Sequence, residues 1–190
     1  MRLLAGADAL MSLSGHRRNQ VWDASALRRP PELLREAPVH EETLELPEAP
    51  EGEEIVFDYA TTGLTLRRHP LALLRPMLAK RRLRSAAQLR RVRDGTLVSY
   101  CGIVTLRQQP DTANGTIFVS LEDETGVVQV IVWRSLRELQ RKELLGSRLL
   151  AVHGTWQREG DVCNLIAGRL EDLTPMLGRL GGVTGSRDFH

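Results

Sequence analysis

The feature that most constrains this chain is a change of hydrophobic period at Thr96, from the 3.6-residue repeat of helices to the two-residue repeat of strands. Leu97 to Leu106 alternates, with Gly102 at mid-strand, where a missing side chain permits tight coiling of the strand. Thr116 to Leu121 is a second predicted strand, Glu122-Asp123-Glu124-Thr125-Gly126 a turn, and Val127 to Trp133 a third strand. A predicted helix runs from Arg134 to Leu145 with Leu136 and Leu139 directed inward. Strands at Ser147–Gln157 and Val162–Ala167 follow, joined by a hairpin turn at Arg158-Glu159-Gly160-Asp161.

Three strands, a helix and two strands within about 75 residues is the order of a five-stranded OB-fold barrel with a helix between strands 3 and 4. The expected fold class is thus mixed α and β. Residues 1–27 read as the end of a larger helical domain, two short helices broken at Ser14-Gly15, with Val21 and Trp22 inward. Residues 28–58 hold five prolines, with eight acids and no lysine or arginine from Pro38 to Asp58, and read as an acidic proline-rich linker with one helical turn at Glu32–Glu36. Residues 59–93 read as a basic helical connector. There Pro70 starts a helix, Pro76 kinks or restarts it, and Ser85-Ala86-Ala87-Gln88 forms a capping box. The barrel domain spans 94–175, and 176–190, rich in glycine, reads as a flexible C-terminal tail.

Charge is segregated along the chain. Leu64 to Arg93 holds ten arginines and lysines and no acid, directly after the acidic run. Such blocks are either solvated segments that attract each other or a basic surface meant for phosphate. Enzyme signatures fail: GxxxxGK[ST], GxGxxG and GxSxG are missing, and the five histidines are scattered singly, so no metal or other cofactor is expected in this chain. Ser14-Gly15-His16 and the His153 strand position have no catalytic partners in sequence. Cys101 and Cys163 stand 62 positions apart inside apolar runs and read as small buried hydrophobes. No run approaches the length of a membrane span and no signal peptide is present, which sets a cytoplasmic expectation with no membrane partner.

OB barrels take oligonucleotides on the face of strands 2 and 3 and on the loops joining strands 1–2 and 4–5. The candidate nucleic-acid-binding residues are therefore Arg107, Gln108, Thr112 and Asn114 in the first loop, Arg158 in the second, and Phe118, Gln129 and Trp133 on the strands. The arginines suit phosphate, the amides and hydroxyl suit base edges, and the aromatics suit stacking. Alternation puts Ile117, Val119, Leu121, Val128, Val130 and Val132 on the opposite, core side. Phe118 and Trp133 equally fit a packing role at strand ends.

Four stretches together resemble the bacterial error-prone C-family DNA polymerase, the damage-inducible paralogue of the replicase alpha subunit. They are Ala7-Asp8-Ala9-Leu10 with Ser12-Leu13, Arg17-Arg18 and Trp22; Asp58-Tyr59 with Thr62-Gly63-Leu64-Thr65-Leu66-Arg67 and His69-Pro70; Leu121 to Gly126 running to Val130-Ile131-Val132-Trp133; and Ser186-Arg187-Asp188-Phe189-His190. The resemblance covers nearly the whole chain but only the C-terminal part of such a polymerase. It implies a parent used in DNA damage tolerance and DNA repair, a translesion nucleotidyltransferase whose Mg2+-holding acids lie elsewhere, so the chain alone is expected to be inactive. It implies single-stranded template DNA as a partner of the barrel. It also implies mutasome proteins, among them a Y-family-like polymerase that contacts the sliding clamp, with Ser186, Arg187, Asp188, Phe189 and His190 as the docking residues. The competing functions are an OB module that docks proteins, and an unrelated OB-fold oligonucleotide binder such as a tRNA-binding domain.

Overall fold

A computed structural model describes residues 2–7, 9, 15–26, 46–110 and 114–180, and the chain divides into two compact units, 1–67 and 68–190. The first unit contains α1 (Arg2–Gly6), α2 (Arg17–Ala26) and α3 (Glu51–Thr61). The predicted acidic linker of 28–58 is thus helical from Glu51 onward. Its acids Glu51, Glu53 and Glu54 fall in the first helical turn, where they complement the helix dipole, and Ile55 is buried. Trp22, expected inward, is 54% exposed.

Charge rather than apolar area organises this unit. The Arg17 guanidinium, 4% exposed, meets Glu54 Oε2 at 3.1 Å and donates to Asp58 Oδ1. Arg67 closes the same network, with Nη1 at 2.9 Å from Asp58 Oδ2 and Nη2 at 3.0 Å from Glu54 Oε2. The Thr65 hydroxyl donates to Asp58 Oδ2 at 2.5 Å, and Arg17 lies 5.1 Å above the Phe57 ring. Acidic and basic blocks here attract one another, the first of the two outcomes that their segregation allows.

The second unit begins with α4 (Pro70–Lys80) and α5 (Ala86–Leu89), which belong to the barrel's own packing and do not form a separate connector. His69 caps α4, its Nδ1 accepting from Leu71 N–H at 3.1 Å, and Pro70 takes the first turn as expected. Pro76 lies inside α4 without ending it. The predicted capping box is present: Gln88 N–H donates to Ser85 Oγ at 3.3 Å, and Ser85 N–H donates to Gln88 Oε1 at 2.8 Å.

Five strands then close a barrel in the order β1-β2-β3-β5-β4: β1 (Leu97–Gln108), β2 (Ile117–Asp123), β3 (Gly126–Val132), β4 (Leu149–Glu159) and β5 (Val162–Asp172). All neighbours are antiparallel except β3 and β5, as the OB-fold expects. β1 serves both edges, pairing β4 through Leu97–Ile103 and β2 through Ile103–Gln108, with a register shift between Val104 and Leu106. Gly102 stands at this crossing, where a Cβ would come 2.8 Å from the Leu121 Cβ. Gly154, at the β4 irregularity, would drive a Cβ to 2.0 Å from the Ile166 carbonyl oxygen.

Alternation fills the barrel with Val98, Tyr100, Val119, Leu121, Val130, Val132, Leu150, Val152, Trp156 and Leu165. The outer face of β1 and β4 presents Cys101, Leu149 and Ala151 to Leu71, Leu74 and Leu78 of α4 and to Met176 of α8 (Thr174–Gly178). Burial accordingly pushes the Cys101 thiol up to about 12, which keeps it inert.

The single helix expected over 134–145 is two, α6 (Arg134–Leu139) and α7 (Arg141–Gly146). Gln140 breaks them at φ −119° and ψ 42°, because its side chain is committed to both backbone groups of Leu170 on β5, at 2.8 and 2.9 Å. The break turns Leu139 out to 82% exposure and puts Leu144 in the core in its place.

Candidate nucleic-acid interface

The outer face of β2 and β3 is set by strand register. Gln108 pairs with Phe118, Phe118 with Ile131, and Ile131 with Ile166, so these four form one row across β1, β2, β3 and β5. Leu106, Ser120, Gln129 and Asn164 form the neighbouring row. Because Val130 and Leu165 are wholly buried on the inside, both rows face outward. Gln108 and Gln129 are exposed, while Phe118 and Ile131 are half-buried. The Ser120 hydroxyl donates to Gln129 Oε1 at 3.1 Å, which orients the amide nitrogen of Gln129 for an outside acceptor. Trp133, one residue past β3, precedes α6 and is 53% exposed. An aromatic ring, a branched aliphatic and two amides on one surface suit stacking with a few polar contacts to base edges.

The two arginines nominated for phosphate are placed otherwise. Arg107 turns away from the loop: its Nε donates to the Leu144 carbonyl at 2.7 Å and its Nη2 to the Ser147 carbonyl, capping the end of α7. Partial burial lowers the Arg107 pKa, though the group stays charged. Arg158 lies on the side of the β3 start, its Nη2 donating to the Arg90 carbonyl and its N–H to Asp94 Oδ1 at 2.7 Å. Arg107 and Arg158 therefore flank the β2–β3 strands from opposite ends. Asn114 sits in an exposed turn at φ +47°, a conformation that asparagine tolerates. Thr112 and the five terminal residues Ser186 to His190 lie outside the described residues. Asn164 and Ile166 join the surface without having been nominated; β5 alternation carries that signal, since each is one residue from a core position.

The Glu122–Gly126 turn proves to be an architectural hub. Asp123, 3% exposed, accepts from Thr125 N–H (2.7 Å), Thr125 Oγ1 (2.7 Å), Gly126 N–H (3.1 Å), Ala86 N–H (2.8 Å) and Arg75 Nη2 (3.2 Å). One carboxylate thus closes the hairpin, caps α5 and holds α4. Arg75 also grips Glu124 with two bonds, 2.5 and 2.7 Å. Burial pushes the Glu124 carboxyl up, but the Arg75 hydrogen bond and charge outweigh it and hold the carboxyl below its ordinary range. Every oxygen of Asp123 is spent on protein donors, so this acid is structural. No three His, Cys, Asp or Glu side chains group as a metal site among the described residues. No described helix is long and apolar enough to cross a membrane.

Residues 98–173 match the family model described as an OB-fold nucleic acid binding domain. Among curated proteins, the error-prone DNA polymerase of Ralstonia pickettii is 52% identical over 193 residues, covering 100% of this chain and 18% of that protein. That of Azoarcus sp. is 52% identical over 188 residues, covering 99% and 18%. Among solved structures, asparaginyl-tRNA synthetase from Pyrococcus horikoshii aligns at 23% identity with a TM-score of 0.37, over 42% of this chain and 20% of that one. The chain spans about a fifth of the length of the polymerases that it matches. Over its whole length this chain is thus similar to the C-terminal part of error-prone DNA polymerases, and its barrel is an OB-fold that matches a nucleic-acid-binding domain family.

Proposed function

We propose that this chain holds single-stranded template DNA during synthesis by a translesion polymerase, with the outer face of β2 and β3 as the contact surface. The observation that supports this most is the outward row Gln108–Phe118–Ile131 beside the oriented amide of Gln129. Bases stack on Phe118 and Trp133 and lie along Ile131, each good stack contributing roughly 1–3 kcal/mol, while amides meet base edges without strong sequence preference. With so few aromatics, affinity is modest and depends on phosphate contacts, so it falls as salt rises. Nucleotidyl transfer and its Mg2+ belong, in this proposal, to the rest of the parent polymerase.

Fluorescence anisotropy with a labelled oligothymidine tests the reading. Phe118→Ala combined with Trp133→Ala is expected to weaken binding about tenfold or more, in line with the loss of one or two stacks, while leaving the thermal midpoint close to that of the unchanged chain. A chain that binds no oligonucleotide at low salt, or a double variant that binds as well as the original, rules the proposal out.

A further inference from the structure

The outer surface of β1, β4 and β5 lines an open groove of about 610 Å3. Its floor is apolar, with Leu97, 78% exposed, and Ile166; the glycines Gly154 and Gly168 leave the floor without side chains. Its rim carries three arginines, Arg82, Arg84 and Arg169, and none of the described lining residues is acidic. Arg169 lies within 3.2 Å of His153, whose other ring nitrogen meets the Ser99 hydroxyl at 2.8 Å. His153, which has no catalytic partner in sequence, thus has two neighbours in the groove wall. Glu171, outside the lining, stands 3.6 Å from both His153 and Arg169 and neutralises that corner in part. The guanidinium groups of Arg82 and Arg84 make no hydrogen bond or ion pair among the described residues.

Two further observations point to an occupant. The cross-strand row of the proposed template face does not stop at Ile131: Ile131 pairs with Ile166, Ile166 with Thr155, and Thr155 with Leu97. Three of these, Ile166, Thr155 and Leu97, line the groove, so the template face and the groove are one continuous outer surface around the barrel. Arg82 also occupies an unusual place in the chain. Arg82 N–H donates to the Ala79 carbonyl at 2.9 Å and Leu83 N–H to the Leu78 carbonyl at 3.0 Å, the paired bonds of a Schellman ending to α4. In that ending the residue at Arg82 is left-handed, here φ +59°, and glycine is the residue that fills it without strain. An arginine stands where the backbone favours glycine, with its side chain on the groove rim.

We propose that this groove carries the phosphodiester backbone of single-stranded DNA that has crossed the β2–β3 face, with Arg82 and Arg84 binding its phosphates. The proposal rests on the template-holding reading above and extends the path over β5. A polyanion with flat apolar bases matches a groove that combines an apolar floor with guanidinium groups at its rim, because bases cover the floor while phosphates stay at the rim.

The test uses the full chain and two oligothymidines, one of about 5 nucleotides to cover the template face and one of about 15 to reach the groove, within the range of OB-domain site sizes. The variant is Arg82→Gly with Arg84→Gln. The first change suits the local backbone, so the thermal midpoint is expected to stay level or rise. Binding of the short oligonucleotide is expected to stay within twofold. Binding of the long one is expected to weaken about tenfold, with its logarithmic salt slope reduced by about 1.4, the contribution of two phosphates on a single strand. Unchanged affinity and slope on the long oligonucleotide, with Phe118→Ala weakening both, overturns the groove and leaves the template face standing. Loss of binding by neither variant, or no binding by the unchanged chain, overturns both. Polyglutamate that binds the unchanged chain, fails to bind the variant and does not compete with DNA assigns the groove to an acidic protein partner and overturns the proposal.

Discussion

The β2–β3 hairpin and the β1–β4–β5 groove are both furnished with arginine, yet the two use it in opposite ways. At the hairpin, Arg75 is locked onto Asp123 and Glu124, and near the two ends of the strands Arg107 and Arg158 close on backbone carbonyls. At the groove, Arg82 and Arg84 face a cavity. The difference teaches that a basic run does not announce its use. A guanidinium whose donors are spent on protein acceptors orders the fold, and one left with open donors is available for phosphate.

The largest expected effect comes from breaking the satisfied side of this comparison. Asp123→Ala removes the acceptor for Thr125, Gly126 and Ala86 and leaves Arg75 with Glu124 as its remaining partner. It should cost about 3–5 kcal/mol of stability, since several backbone and hydroxyl donors lose a charged acceptor at once, seen as a lower midpoint in urea. A loss under about 1 kcal/mol would show that water takes over the hub.

Arg107→Ala sharpens the contrast at smaller scale. Since Arg107 holds the Leu144 and Ser147 carbonyls, its loss is expected to destabilise by about 1–2 kcal/mol, hydrogen bonds from a charged donor that is partly screened by solvent. Oligonucleotide affinity should then change less than twofold. A tenfold weakening at unchanged stability would return Arg107 to the phosphate-binding set.

The barrel was legible because alternation is local: each inward residue marks the next as outward, so the inner and outer faces of β2 and β3 were readable from Ile117 to Val132 alone. Pro70, the Ser85 capping box and Gly102 were legible for the same reason, since each effect acts within a few residues or on the strand that holds it. What was hidden is long-range. Arg75 meets Asp123 across 48 positions and Arg17 meets Asp58 across 41, and pairs that distant leave no periodic mark. Helix α3 was hidden by its composition, because acids that suit a first helical turn also read as a linker when their arginine partners are far away in sequence. Loop position points Arg107 to phosphate and is silent on the carbonyls that the folded chain brings to it. Leu139 reads as inward in the sequence because nothing local marks the break that Gln140 makes through Leu170.

The smallest effect is one of pH. Burial lowers the His69 pKa from its ordinary 6.5, outweighing the raising influence of Glu122, Glu124 and Asp123. The unfolded chain therefore binds the proton more readily than the folded one. The His69 contribution is fully present above about pH 6.5 and is lost as the pH falls below it. Urea midpoints measured downward from neutral pH should decline, and His69→Asn, which retains an acceptor for Leu71 N–H, should flatten the decline. An equal slope in the variant would assign the titration to another group.

The most direct measurement is a map of backbone amide chemical shifts on addition of unlabelled oligothymidine to the isotope-labelled chain at low salt. The account predicts that the largest shifts fall on Gln108, Phe118, Gln129, Ile131 and Ile166, with Thr125 and Gly126 at the closed hairpin nearly still. Shifts concentrated instead on the hairpin and on α6, with the β2–β3 face unmoved, would contradict the assignment of template to that face.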